Sequence, residues 1–287
     1  MFIYGVSTSI LDRKKDTVFD AIKFAVKHKF DVIEIVCETP EILPGYTNPE
    51  FIKRVKDLAE SGRLKIQLHA PFYSINLASF DDEFLNFSRK EILKTIELGY
   101  KLEADKITLH IGLCFLPCQF FKEKAMEIAA ESMKILLNEA SDCGIKLAVE
   151  NRGGKLDLGK VDELVKLIEM VNSDNLGITF DVVQANVLGD PLEQLKVVEK
   201  YLINTHIRDA PRGKEGLLAV GEGEIDFSSI IEEFIRIGFK GPLIFEVSSR
   251  DRAIISRATV EEILEGLNKK KLDSNFDSIM LSSRSIT

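Results

Sequence analysis

Two hydrophobic patterns alternate along the chain of 287 residues. Short runs rich in apolar and β-branched residues are each followed by a longer stretch whose apolar positions lie three or four residues apart. The short runs are typical of strands buried on both faces, and the longer stretches are typical of amphipathic helices. The eight predicted strands are Phe2–Val6, Val32–Val36, Leu64–Leu68, Lys106–Leu109, Lys146–Val149, Leu176–Phe180, Ile203–Thr205 and Leu243–Phe245.

The predicted helices fill the intervals between these strands. In the first of them, Val18, Ile22, Ala25 and Val26 form one apolar face at helical spacing. The other stretches repeat this pattern. The predicted helices are Thr17–Lys27, Pro49–Ala59, Phe84–Leu102, Lys122–Ala140, Val161–Val171, Leu192–Tyr201, Phe227–Ile237 and Thr259–Leu267.

The regular alternation of strand and helix predicts the fold. Eight repeats of one strand and one helix are typical of an α/β protein with a single (β/α)8, or TIM, barrel domain. An open doubly wound sheet is the alternative, but such sheets usually carry a glycine-rich phosphate loop after the first strand. Here the first strand runs into Ser7–Ile10, which contains no glycine. We therefore predict one barrel domain over residues 1–270 and a polar C-terminal tail over residues 271–287.

Nearly every predicted strand carries or ends in a side chain that binds metals or transfers protons. The C-terminal strand ends of a barrel converge at one mouth, so these side chains should meet in space. Several carboxylates at one mouth would repel each other and raise their own pKa values, and a bound divalent cation removes that repulsion. The fourth histidine, His28, lies at a predicted helix end and is expected to be structural. The strand residues are Glu34, His69, His110, Glu150, Asp181, His206 and Glu246.

The chemistry of this set predicts the kind of metal. Carboxylates with one imidazole form an oxygen-rich, hard ligand set that suits Mn²⁺, Mg²⁺ or Co²⁺, and Zn²⁺ also occupies such sites. We therefore expect one divalent metal ion. His69 and His110 supply further nitrogen atoms, which would hold a second metal with Glu150 as the bridge or would contact the substrate.

The overall charge narrows the choice of partners. The chain has a net charge of -8 and a pI of about 5.3, so it lacks a general electrostatic attraction to nucleic acid or anionic membranes. No apolar run reaches the roughly 18 residues that a membrane helix needs, and the N-terminus lacks the basic and apolar regions of a signal peptide. We expect a cytoplasmic protein that acts on a small molecule, with a size compatible with a homodimer.

Several short motifs, taken in their order and spacing, resemble the xylose isomerase-like barrel superfamily. This superfamily includes sugar-phosphate isomerases and epimerases and the endonuclease IV enzymes. The resemblance extends from Gly5 to Glu246, and no motif is specific by itself. The segments are LHAP at 68–71, VEN at 149–151, FD at 180–181, HIRD at 206–209, GEGEID at 221–226 and FEV at 245–247.

The isomerase and epimerase branch of this superfamily implies roles for particular residues. The resemblance implies a metal held by Glu150, Asp181, His206 and Glu246. It also implies that Glu150 and Glu246 are the catalytic residues, which lie on opposite faces of the bound sugar and transfer a proton. By the same resemblance, Arg208 contacts the substrate, and the glycine-containing segment after the seventh strand orders its loop.

The chain also departs from the family pattern. The isomerases and endonuclease IV usually have a histidine three residues after the strand-six aspartate, where this chain has Gln184. Endonuclease IV uses an Asp-x-His pair after the seventh strand for a third metal, and no such pair occurs between Asp209 and Gly221. The residues that match the ligands of the other two metals of endonuclease IV are all present in this chain. The candidates for binding a second metal or the substrate are His69, His110, Glu34, Gln184 and Arg208.

These implications lead to one main functional prediction and two alternatives. The main prediction is a divalent-metal-dependent isomerase or epimerase of a sugar, sugar phosphate or polyol, which transfers a proton through an enediolate. The second is an endonuclease IV-like phosphodiesterase acting on abasic DNA, against which the acidic charge, the missing third metal site and Gln184 all count. The third is a lyase or dehydratase of a related polyol ketone, or a metal-binding barrel without catalysis.

Overall fold

The computed structural model describes residues 2–38, 42–43, 45, 47–114 and 119–284, and for residues 119 and 270–284 it describes the backbone alone. Eight parallel strands form a closed barrel surrounded by helices, which confirms the predicted (β/α)8 fold. The barrel strands are β1 (Ile3–Ser7), β2 (Val32–Val36), β3 (Lys65–His69), β4 (Lys106–Leu109), β6 (Lys146–Glu150), β8 (Leu176–Asp181), β9 (Leu202–Ile207) and β10 (Pro242–Phe245). The short strands β5 (Gly112–Leu113) and β7 (Asp157–Leu158) pair with each other outside the barrel.

The helices lie between successive strands on the outside of the barrel. Apart from the last one, the predicted helices have boundaries within a few residues of those in the structure. The structure also contains two short 3-10 helices, at Thr8–Ile10 and Glu199–Tyr201. The helices are α1 (Val18–Lys27), α2 (Pro49–Ser61), α3 (Asp82–Lys101), α4 (Gln119–Asp142), α5 (Val161–Val171), α6 (Val182–Leu188), α7 (Pro191–Val198), α8 (Phe227–Arg236) and α9 (Arg250–Arg284).

Neighbouring barrel strands follow the order of the chain, and β10 closes the barrel against β1. All eight pairings are parallel, so the carboxyl ends of the strands open onto a single mouth. In register, Asp181 at the end of β8 pairs with His206 of β9. On the opposite wall, Val36 of β2 pairs with His69 at the end of β3. The pairing explains why strand-end residues that are distant in sequence become neighbours.

Polar side chains fix the starts of several helices. The Asn48 side chain accepts a hydrogen bond from the backbone N–H of Phe51 at 2.8 Å, and Pro49 occupies the first position of α2. Asp190 caps α7 in the same way, and Pro191 follows it. A side-chain cap of this kind contributes about 1 kcal/mol, and proline at the first helical position costs no hydrogen bond. These residues determine where α2 and α7 begin.

Two helices differ from the sequence prediction. The side chain of Asp181 accepts a hydrogen bond from the backbone N–H of Gln184 at 2.8 Å, which starts the unpredicted helix α6. This helix has seven residues, too few to show a clear apolar period. α9 extends from Arg250 to Arg284, well beyond the predicted Thr259–Leu267, so residues predicted as a polar tail continue its backbone. A domain end at residue 270 stays a prediction.

The apolar core lies in the layer between the barrel wall and the surrounding helices. Ile22 of α1, Leu167 of α5 and Phe234 of α8 are fully buried there. Their helices are amphipathic, so the burial of one face orients each helix against the barrel. Among the helices of the described residues, none is both long enough and apolar enough to cross a membrane.

Candidate functional site

Four strand-end residues meet around one nitrogen atom at the mouth of the barrel. The Nδ1 atom of His206 lies 3.4 Å from Glu150 Oε1, 3.9 Å from Asp181 Oδ2 and 3.8 Å from Glu246 Oε2. The side chains of His206 and Asp181 are fully buried, whereas that of Glu246 is 18% exposed. The structure therefore brings together the four residues that the family resemblance implied as metal ligands.

The donor atoms of this cluster fit a divalent metal ion. His206 Nδ1 and Glu246 Oε2 are buried and have no hydrogen-bond partner among the described residues. Unpartnered buried polar atoms are unfavourable, and coordination to a metal removes this cost. Two ligand atoms on one metal are separated by about 3–3.5 Å when each metal–ligand bond is about 2.1 Å. The distances of 3.4, 3.9 and 3.8 Å from His206 Nδ1 to the three carboxylate oxygens are close to this separation. Three carboxylates and one imidazole suit Mn²⁺, Co²⁺, Mg²⁺ or Zn²⁺.

The charges in the cluster are strongly coupled. Burial alone would raise the pKa of Glu150, but the imidazoles of His206 and His110 lower this pKa well below its ordinary value. Burial alone would lower the pKa of His206, but the carboxylates of Glu34 and Glu150 raise it well above its ordinary value. A proton on His206 thus balances the carboxylates. A divalent cation competes with that proton for the Nδ1 lone pair.

Arg208 supplies a second positive charge beside the cluster. Its Nη2 and Nε atoms donate hydrogen bonds to Asp181 Oδ2 at 2.5 and 3.0 Å, and Nε also lies 3.3 Å from Glu246 Oε2. Burial would lower the pKa of Arg208, but these two carboxylates raise it, so the guanidinium stays charged. Its side chain is 11% exposed. Arg208, which the family resemblance implied as a substrate contact, therefore lies beside the cluster, between Asp181 and Glu246.

His69 and His110 form a second group that shares Glu150. Their Nε2 atoms lie 3.0 and 2.9 Å from Glu150 Oε2. The other ring nitrogen of His69 lies 2.8 Å from the carbonyl oxygen of Ala70. Burial would lower the pKa of His69, but the hydrogen bond to Glu150 raises it, whereas burial lowers the pKa of His110. One ligand atom from each of these three residues lies within 4.8 Å of the others, as in a metal site.

The remaining candidate residues lie behind or beside the cluster. Glu34 is fully buried on β2, and its Oε1 lies 3.0 Å from His206 Nε2, on the side of the ring away from the carboxylates. Gln184 follows Asp181 on α6, and its side chain accepts a hydrogen bond from the backbone N–H of Gly153 at 2.9 Å. His28 is the residue that caps the end of α1, and its ring packs on Phe24.

Two further residues support the site although they were not selected as candidates from the sequence. The Asn151 side chain accepts a hydrogen bond from the backbone N–H of Asp181 at 2.7 Å and donates one to its carbonyl oxygen at 3.0 Å. The ring of Phe72 packs against His69 and His110, with centroids 5.2 and 5.1 Å apart. Asn151 is the last residue of the motif at 149–151, and Phe72 directly follows the motif at 68–71, so their positions next to strand-end ligands are the sequence signal for these two roles.

Asp209 organises the loop that follows β9. This carboxylate is fully buried and accepts four backbone hydrogen bonds. Oδ2 accepts from Gly221 and Gly223 at 2.9 and 3.0 Å, and Oδ1 accepts from Ala210 and Ile225 at 2.8 and 3.3 Å. A side chain on Gly223 would approach Asp209 Oδ1 to 2.2 Å, so the glycine permits this close contact. The loop segment at 221–226 is thus ordered by one buried carboxylate.

We predict that Asp209→Asn lowers the free energy of unfolding by about 2–3 kcal/mol, because an amide leaves two backbone donors unpaired and removes the charge that they face. Urea unfolding measures this change. Asp226→Asn is the matched control, since the exposed Asp226 caps α8 by accepting from Ser229 at 3.1 Å and asparagine caps equally well. Equal stability of the two variants would contradict the role given to Asp209.

Comparison with known proteins places the chain in a family. The sequence profile described as the xylose isomerase-like TIM barrel matches residues 22–270. The chain belongs to the xylose isomerase-like TIM barrel family. This result confirms the resemblance found in the sequence motifs.

Individual members of the xylose isomerase-like family are similar over most of the chain. An uncharacterized protein of Methanocaldococcus jannaschii is 29% identical over 93% of this chain and 91% of its own length. The inosose isomerase of Bacillus velezensis is 23% identical over 79% of this chain and 81% of its own length. A crystal structure of a D-tagatose 3-epimerase-like protein superposes with a TM-score of 0.84 and 28% identity, covering 94% of this chain and 99% of that protein.

Proposed function

We propose that this protein is a divalent-metal-dependent isomerase or epimerase of a small sugar or polyol ketone. The observation that carries the proposal is the convergence of Glu150 and Glu246 on His206 Nδ1. Two buried atoms of this cluster, His206 Nδ1 and Glu246 Oε2, form no hydrogen bond with the described residues. This arrangement supplies a metal site and two carboxylates at the same point. The names of the relatives, an inosose isomerase and a D-tagatose 3-epimerase-like protein, agree with this class of substrate.

The metal would be held by Glu150, Asp181, His206 and Glu246. When bound, it would polarise the substrate carbonyl and the hydroxyl on the neighbouring carbon. The C–H proton of that carbon would then become more acidic. Arg208 lies beside Asp181 and Glu246, where its charge would orient an oxygen of a substrate bound next to Glu246.

The two glutamates differ in their surroundings, which suggests a role for each. Glu246 is the more exposed, and its Oε2 has no hydrogen-bond partner among the described residues, so we assign it the removal of the proton next to the carbonyl. The electrons of the broken C–H bond form the enediolate. Glu150 Oε2 lies 3.0 Å from Nε2 of His69, whose pKa is raised, so we assign the return of a proton to carbon to Glu150, with His69 as the source of that proton. Exchange with solvent would then remove the proton from Glu246 and restore the one on His69.

The site can be tested by the exchange of hydrogen with solvent. The protein supplied with Mn²⁺ in deuterated water should incorporate deuterium at the carbon next to the carbonyl of a ketose or inosose, as followed by proton NMR. A panel containing D-tagatose, D-fructose and inosose samples both kinds of substrate. If the Mn²⁺-supplied protein exchanged hydrogen in none of these compounds and formed no epimer of them, the proposed function would be contradicted for this class of substrate.

A two-metal phosphodiesterase is the second candidate, and one observation favours it. His69, His110 and Glu150 form a second group of metal-ligand type that shares Glu150 with the first. Two metals activate water and stabilise the leaving oxygen in phosphoester hydrolysis. Two equivalents of tightly bound metal, with cleavage of abasic DNA and no isotope exchange, would favour this candidate over the isomerase.

A further inference from the structure

The interior of the barrel directly below the cluster is polar. Barrel interiors are usually filled by branched apolar side chains, and buried polar groups are unfavourable unless they form hydrogen bonds. Each of the four polar side chains here lies two residues before a strand-end residue of the site and therefore faces the same interior. All are at most 2% exposed: Gln67, Thr108, Thr179 and Asn204.

Three of these side chains form a connected set of hydrogen bonds that ends at Glu34. Thr108 Oγ1 donates to Glu34 Oε2 at 3.2 Å, and the Asn204 amide donates to the same oxygen at 3.4 Å. Thr179 and Thr108 are joined through their hydroxyls at 2.9 Å. Because the Thr108 proton is directed to Glu34, the Thr179 hydroxyl must donate to Thr108. The Asn204 amide also donates to Thr108 Oγ1 at 3.1 Å, so the donors of this set point toward Glu34 either directly or through Thr108.

Glu34 in turn contacts the ring of His206 on the side opposite the metal cluster. His206 Nε2 lies 3.0 and 3.2 Å from the two oxygens of Glu34. An ionised carboxylate only accepts hydrogen bonds, so Nε2 carries a proton. When His206 is neutral, its lone pair is then on Nδ1, which faces Glu150, Asp181 and Glu246.

We propose that Glu34 is a positioning residue for the metal site, which fixes both the tautomer and the ring orientation of His206 and is itself held by Thr108 and Asn204. This role rests on the metal site of the proposed function. It differs from the roles considered from the sequence, in which Glu34 binds a second metal or the substrate, because Glu34 is fully buried behind His206. Partners of this kind orient metal-binding histidines and raise their basicity.

Metal affinity tests this role directly. Dissociation constants for Mn²⁺ are measured by chelator competition on the wild type, Glu34→Gln, Glu34→Leu and Thr108→Val. We expect about 10-fold weaker binding for Glu34→Gln, which keeps an acceptor but loses the charge, and about 100-fold weaker binding for Glu34→Leu. Thr108→Val removes one donor to Glu34 without altering a group that contacts His206, and should weaken binding several-fold.

Gln67→Met is the matched control. Gln67 pairs in register with Glu34 on the neighbouring strand and is 2% exposed, and its side-chain oxygen has no partner among the described residues. The Mn²⁺ dissociation constant of this variant should lie within about threefold of the wild-type value. This change is small compared with the roughly 10- to 100-fold loss of affinity that follows when a metal ligand loses its hydrogen-bond partner. Thermal unfolding of each protein without added metal separates loss of stability from loss of affinity.

The outcomes distinguish this inference from the proposed function. Unchanged Mn²⁺ affinity in folded Glu34→Gln and Glu34→Leu would overturn the positioning role while leaving the metal site in place. An equal loss in Gln67→Met would show that any polar change in the barrel interior has the same effect, and would also overturn it. Absence of Mn²⁺ binding by the wild type would contradict the metal site itself, and with it the role of Glu34.

Discussion

Replacing either Glu150 or Glu246 with glutamine should reduce turnover by about 10³-fold or more while the barrel still folds. Glutamine keeps the size of the side chain but cannot accept the proton, and general acid–base catalysis by one group contributes about 10²–10⁴-fold. Each change also removes one negative ligand from the metal cluster. Initial rates of isotope exchange on the best substrate of the panel provide the measurement.

The control for these variants is a glutamate outside the site. Glu127 lies on the surface of α4 and pairs with Lys124 at 2.8 Å, with more than half of its side chain exposed. Glu127→Gln should retain the wild-type rate, because exposed ion pairs contribute at most about 1 kcal/mol to stability. Circular dichroism checks that all three variants are folded. Wild-type exchange rates in folded Glu150→Gln and Glu246→Gln would contradict the assigned proton transfer.

Replacing His206 with alanine should remove the metal from the protein. His206 supplies the nitrogen on which Glu150, Asp181 and Glu246 converge. Without the imidazole, Asp181 and Glu246 face each other with Arg208 between them, and Glu150 keeps its contacts with His69 and His110. Loss of this ligand should weaken metal binding by more than the roughly 10- to 100-fold that loss of an outer hydrogen-bond partner costs.

The cluster itself could be predicted from the sequence because the barrel topology determines which residues meet. Each metal-ligand candidate follows an apolar run, and parallel strands of a barrel end at one mouth. The register then brings Asp181 opposite His206. No information about the intervening helices was needed for this step, so differences such as the unpredicted helix α6 did not affect it.

The depth of each side chain could not be predicted. The sequence places Glu34 in one set with the strand-end residues, but in the structure it lies in the middle of β2, where it pairs with Gln67 rather than with His69. Whether a residue faces the mouth or lies one layer below depends on the register between tilted strands, and a single strand does not contain that information. Glu34 therefore contacts His206 from behind.

The polar interior of the barrel is not among the sequence predictions, although the sequence contains a signal for it. Thr108, Thr179 and Asn204 each lie two residues before a strand-end ligand, and side chains two apart on a strand face the same side. In the sequence these residues appeared as ordinary polar positions within apolar runs. Only the hydrogen bonds from Thr108 and Asn204 to Glu34 show that they belong to one network.

The metal content of the purified protein tests the central claim most directly. Inductively coupled plasma mass spectrometry is applied to the wild type, His206→Ala and the control His28→Ala, all after incubation with Mn²⁺ and removal of free ion. His28 lies at the end of α1, where it packs on Phe24. We expect about one equivalent of metal in the wild type and in His28→Ala and almost none in His206→Ala. Metal absent from all three proteins, or retained in His206→Ala, would contradict this claim.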